Sequence, residues 1–253
     1  MPTPKILLGI SLLAFIGVML GIKPFAQDPH YHSFANDVNF AGIHNGCNVL
    51  SNLGFLISGV LGFILISKYQ IKTPIIGVLF GGILLTGFGS AYYHYAPTNE
   101  SLVWDRLPMV IVFTSFFAQV YAWYFSSKTA FRIWIVSLLI GLFSVWYWQY
   151  TESMGRGDLR LYLIVQFLPI LLIITTLGLH HQQNTFLWKP LVWTLLWYIG
   201  AKFMEHFDHQ IFEFTNFVSG HVLKHLAAAG ATFYILLMVK RKAVQEHENS
   251  LKR

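Results

Sequence analysis

The chain reads as an all-α integral membrane protein of eight helical spans, and three observations predict it. Of its 253 residues, 55% are hydrophobic and only 11% charged, whereas a soluble domain carries roughly 25% charged residues. Aromatic residues make up 17%, as expected for the Trp and Tyr belts at membrane interfaces. Apolar windows long enough to cross a bilayer recur along the whole chain, and the mean hydropathy is +0.54.

Taken in order, the spans cover residues 5–22, 47–67, 74–94, 106–126, 131–150, 160–180, 187–205 and 219–240. The first, Lys5 followed by Ile6 to Leu20, has the form of a signal peptide with a weak small-residue site near Ala26. We read it as a retained helix. The chain then divides into an N-terminal helix (1–25), a membrane domain (26–240) and a basic tail (241–253). The connections are short and leave no room for a separate soluble domain. One cysteine, Cys47, rules out an intramolecular disulfide or a Cys-based zinc cluster, and it reads as a small packing residue.

Charge sorts the two membrane faces. The face holding both termini carries Lys5, Lys68, Lys72, Lys128, Arg132, Lys189 and the tail cations Lys240, Arg241, Lys242, Lys252 and Arg253, which is 11 of the 17 Lys and Arg. The other face has Lys23, Arg106, Arg156, Arg160, Lys202 and Lys224, together with nine of the 11 acids. By the positive-inside rule both termini are cytoplasmic, and the expected location is the plasma (inner) membrane. Much of the net charge of +6 lies in the tail, which reads as an anchor near anionic headgroups and calls for no nucleic-acid partner.

The residues that carry chemistry gather at the acidic end. His94 closes the third span, while His221 and His225 open the last at i, i+4 and so point from one helix face. Three imidazoles from two helices make the usual ligand set of a catalytic zinc, with a fourth position for water whose pKa falls to about 7. Asp105 is typed for a general base, or for an acceptor that orients a histidine or the water. Ser90, one turn before His94, suits a water-holding or oxyanion-stabilising hydroxyl. Rings more than about 8 Å apart would end this reading.

The other histidines are read as ordinary interfacial or loop residues: His30, His32 and His44 in the first loop, His180 and His181 at the opposite membrane face, and His247 in the tail. The run KFMEHFDHQ, with Lys202, Glu205 and Asp208 at i, i+3 spacing, reads as a salt-bridged helix end holding His206 and His209. Lys224 lies off the metal-facing side of the histidine pair, and contact with a phosphate or carboxylate is the lesser reading for it. The run AAAGA (227–231) reads as a close helix-packing surface.

Four segments, NVLSNLGF (48–55), GFGSAYYH (87–94), WDRLPM (104–109) and SGHVLKHLAAA (219–229), resemble the alkaline ceramidase family, most closely its bacterial branch. That family belongs to the CREST superfamily, which also includes adiponectin-type receptors. The resemblance implies a seven-helix CREST-type bundle, here with one additional N-terminal transmembrane helix. It implies Zn²⁺ held by His94, His221 and His225, assisted by Ser90 and Asp105. It further implies a lipid partner within the bilayer, ceramide or another N-acyl lipid, hydrolysed at its amide to a long-chain base and a fatty acid. Some relatives also hold Ca²⁺ before the first core helix. Asp37 is the only acid in that stretch here, beside Asn36, Asn39 and Asn45, and an all-oxygen calcium site prefers more carboxylates, so Ca²⁺ is not expected. The alternative is a receptor-like or signalling protein of the same superfamily with a mainly structural zinc.

Overall fold

A computed structural model describes residues 3–180, 182 and 185–251; the expectations placed on His181, Lys252 and Arg253 lie outside the described residues. Within them the chain folds as α1 (Thr3–Gly21), a 3-10 turn (Pro29–His32), α2 (Gly46–Leu50), α3 (Leu53–Tyr69), α4 (Pro74–Tyr95), α5 (Asn99–Tyr124), α6 (Ser127–Ser153), α7 (Arg160–His180), α8 (Thr185–His206), α9 (Asp208–Thr215) and α10 (Gly220–Leu251). No strand forms among the described residues, only an isolated bridge between Phe40 and Ile43. Helices dominate because a bilayer offers backbone groups no water, and a helix satisfies them all within one segment.

Seven of these segments are long and apolar enough to cross a membrane, with α2 and α3 counted as one. The remaining predicted span, 187–205, falls on α8, which has 22 residues, about 33 Å at 1.5 Å per residue, and also matches a bilayer. It is not among those seven, and it carries Trp188, Trp193, Trp197, Lys189 and Lys202. The chain is a multi-pass membrane protein. Leu12, Leu13, Leu20, Ile57, Leu85, Phe88, Leu139 and Trp146 point outward, where lipid replaces water as the solvent of the fold.

Local chemistry sets the helix ends. Pro74 opens α4 after the extended Thr73. Thr98 and Ser101 form a reciprocal capping box at the start of α5. Ser126 caps α6 by accepting from the Thr129 amide. The predicted second span is not one helix. It breaks at Ser51 and Asn52, where the Ser51 hydroxyl donates to the Asn48 carbonyl (2.8 Å) and Asn52 Nδ2 donates to the same oxygen (2.8 Å). Side chains that bond the local backbone compete with the helix ladder.

Two devices fix the N-terminal segment. Arg160 donates to the carbonyls of Met19 and Ile22 (2.9 and 3.1 Å) at the end of α1 while pairing with Asp158 at 2.7 Å. The hydrogen bond from that guanidinium holds the Asp158 carboxyl below the usual carboxylate range. The Leu159 amide also donates to the Phe25 carbonyl (3.1 Å). The chain that follows α1 is thereby laid across the end of the bundle where α4 finishes and α10 begins.

Candidate metal centre

Close helix approach builds this end of the bundle. Gly89 faces α5, and a Cβ there would sit 1.9 Å from the Trp104 carbonyl, so only glycine lets the two backbones meet. Ser90 and Asp105, the neighbours of that contact, are both buried and line the same cavity. Gly220 makes a second close approach, to the Met204 carbonyl at 2.2 Å from a built Cβ, and seats the start of α10 against the end of α8.

The structure brings His94, His221 and His225 together, all three buried. Their ring centroids lie 4.7 to 4.9 Å apart. His94 Nε2 is 3.1 Å from His225 Nε2 and 3.4 Å from His221 Nε2. One nitrogen of each ring lies within 4.8 Å of the other two, so the group can hold a metal ion. Buried imidazoles with mutually facing nitrogens leave lone pairs that a cation would satisfy.

The supporting side chains were not visible in the spacing. Ser51 Oγ lies 2.7 Å from His225 Nδ1. Because Ser51 already donates its proton to the Asn48 carbonyl, its oxygen accepts from Nδ1–H. That bond sets the tautomer and leaves the Nε2 lone pair free. Phe34 packs on both His94 and His221, with centroids at 4.7 and 4.5 Å. Asn45 Nδ2 donates to the His94 carbonyl (3.0 Å). The signal for this shell was a cluster of polar residues, Asn48, Ser51 and Asn52, inside an apolar span.

The salt-bridged helix end requires a correction. Lys202 Nζ donates to Glu205 Oε2 (2.7 Å) as the spacing predicts, and Lys224 Nζ pairs with Glu205 Oε1 at 2.8 Å. Asp208 is not part of that network. The helix breaks at Phe207, and the short α9 redirects Asp208 to accept from the His221 amide (2.7 Å) and the Ala35 amide (3.0 Å). A carboxylate at a helix N-terminus meets unsatisfied amides and the positive dipole end, which outweighs a third place in a part-buried ion-pair row. The AAAGA run does pack closely: a Cβ on Gly54 would meet Ala229 at 2.6 Å, and one on Gly230 would meet the Trp197 ring at 3.1 Å.

A cavity of about 420 Å³ opens beside the histidines. Ser90, Asp105, Arg106, Glu205, Lys224 and His225 line its polar end, and apolar side chains of α5, α7, α8 and α10 line the rest. It follows α10 from His225 to Ile235, about 15 Å at 1.5 Å per residue. The Ser90–Asp105 pair stands on this wall beside the histidine triangle.

Ser51→Ala is expected to weaken metal binding by about 10- to 100-fold, the usual cost of losing a side chain that orients a ligand. Competition with a calibrated chelator measures it, and an unchanged affinity removes Ser51 from the supporting shell.

Comparison with curated proteins gives no match. A family model described as Ceramidase matches residues 41–253. That stretch contains α2 to α10, all three histidines, Ser90 and Asp105. The chain belongs to the ceramidase family.

Proposed function

We propose that the protein is a zinc-dependent intramembrane hydrolase that cleaves the amide of ceramide or a related N-acyl lipid to a long-chain base and a fatty acid. One observation carries the reading: three imidazole nitrogens face one another beside an apolar cavity, within a chain of the ceramidase family. The donor set of His94, His221 and His225 fits zinc. Separations of 3.1 and 3.4 Å bracket the roughly 3.3 Å expected between two nitrogens each about 2.05 Å from a tetrahedral centre. So held, zinc supplies Lewis acidity, polarising a carbonyl and lowering the pKa of a bound water.

The chain's own residues do the rest. Asp105 takes the proton of the attacking water as the carbon–oxygen bond forms, and returns it to the departing nitrogen as the carbon–nitrogen bond breaks. Ser90 holds that carboxylate in place, and once Asp105 is protonated its hydroxyl is free to donate to the carbonyl oxygen. The apolar length of the cavity takes the acyl chain and keeps bulk water away. On the Lys/Arg bias of 11 to six the site faces the extracytoplasmic side of the plasma (inner) membrane, with both termini cytoplasmic.

The test joins metal analysis of the purified protein to a lipid-amide hydrolysis screen. The expected result is close to one zinc per chain and fatty acid released from ceramide or an N-acyl relative. Bound zinc with no acyl lipid cleaved would favour the receptor-like reading.

A further inference from the structure

Lys224 and Glu205 form an ion pair on the wall of the cavity, 2.8 Å apart. Lys224 lies in α10 directly before His225, and Glu205 lies one residue before the end of α8. Lys202, one turn earlier in α8, donates to the second oxygen of the same carboxylate at 2.7 Å. The Tyr31 hydroxyl reaches the first oxygen from the N-terminal segment, at 3.5 Å. All four side chains line the cavity. Lys224 and Glu205 are largely buried, yet 17% and 18% of their side-chain surface stays open.

This cluster has more hydrogen-bonding capacity than it uses. An ammonium carries three N–H donors, and a carboxylate about four lone pairs. Lys224 gives one N–H to Glu205, and among the described residues its other two meet no acceptor. Glu205 Oε2 accepts from Lys202 alone. Desolvating three charges is a poor way to join α8 to α10, since well-packed apolar side chains do so equally well or better. Ionisable groups inside a membrane bundle are costly and are kept where a substrate or ion meets them.

We infer that the Lys224–Glu205 pair reads a neutral hydroxyl on the amine side of the lipid amide, whose oxygen accepts from Lys224 while its proton is donated to Glu205. A hydroxyl satisfies both partners at once, and a hydrocarbon in its place satisfies neither. The inference rests on the hydrolase reading for the direction in which the lipid lies. With the acyl chain along the apolar length and the carbonyl at the histidines, the amine side falls at the polar end, where the pair stands. Selection of hydroxylated long-chain amides over plain N-alkyl amides is then the work of two side chains outside the histidine triangle.

Full-length protein in detergent is assayed on two amides with the same acyl chain, N-dodecanoylsphinganine and N-octadecyldodecanamide, the second lacking every hydroxyl. Hydrogen bonds to charged groups should make the wild type favour the first in kcat/KM by about ten- to hundredfold. Lys224→Met should bring that ratio near one. Glu205→Gln should retain part of it, because the amide oxygen still accepts but without charge, and this variant carries the test if Lys224→Met does not fold. A purely structural role would lower cleavage of both amides together and keep the ratio, which overturns the reading, as does a wild type that cleaves both alike. Either result leaves the hydrolase standing. Thermal unfolding is followed without additive, to verify each fold, and with octadecane-1,3-diol or octadecane. The diol should raise the Tm of the wild type more than that of the variants, and octadecane should not distinguish them. If neither amide is cleaved, the hydrolase reading fails and the diol shifts alone decide the pair, equal shifts overturning it.

Discussion

His225→Ala should strip the protein of its metal and abolish amide hydrolysis with it. His225 supplies a facing nitrogen to the triangle, and Ser51 orients it through Nδ1. Losing an orienting partner alone costs 10- to 100-fold in affinity, so losing the ligand should cost about a hundredfold or more. Two buried imidazoles, His94 and His221, would remain, and two ligands do not complete the set of a catalytic zinc. Zinc content per chain after dialysis against a mild chelator is the primary measurement, with released fatty acid as the second. Near-normal zinc in this variant would remove His225 from the ligand set.

Asp105→Asn should do the reverse: the metal stays and turnover falls. A positioned general base contributes roughly 10²- to 10⁴-fold, and asparagine keeps the shape and polarity of the side chain while losing the proton acceptor. The loss should appear in kcat with little change in zinc content. Turnover within about threefold of wild type would exclude Asp105 as the base. The two substitutions together separate holding the ion from moving the proton.

Much of the fold was legible because hydropathy is a property of long windows. The span expected at residues 160–180 is the helix Arg160–His180, and that at 74–94 is Pro74–Tyr95. Features decided by single side chains were not legible. The break at Ser51 and Asn52 leaves the average of an apolar window almost unchanged, yet it aims a hydroxyl at an imidazole 174 residues away. Asp208 had the spacing of an ion-pair partner, but the turn at Phe207 carries it to the amides of Ala35 and His221. In the neighbourhood of the histidines, the spacing indicated a helix face and an end of the bundle. It did not indicate which nitrogens face inward, nor that an aromatic ring, Phe34, would wedge against two of them.

Asp208 ties two distant parts of the chain into one thermodynamic unit. The carboxylate that secures the first turn of α10 also grips the backbone at Ala35, in a stretch that precedes the matched family region. If forming one grip favours the other, the coupling is the same free energy in both directions, because linkage is reciprocal. Anything that peels this leading stretch from the bundle therefore loosens the hold on His221, and an ion captured by His221 clamps the stretch down in return.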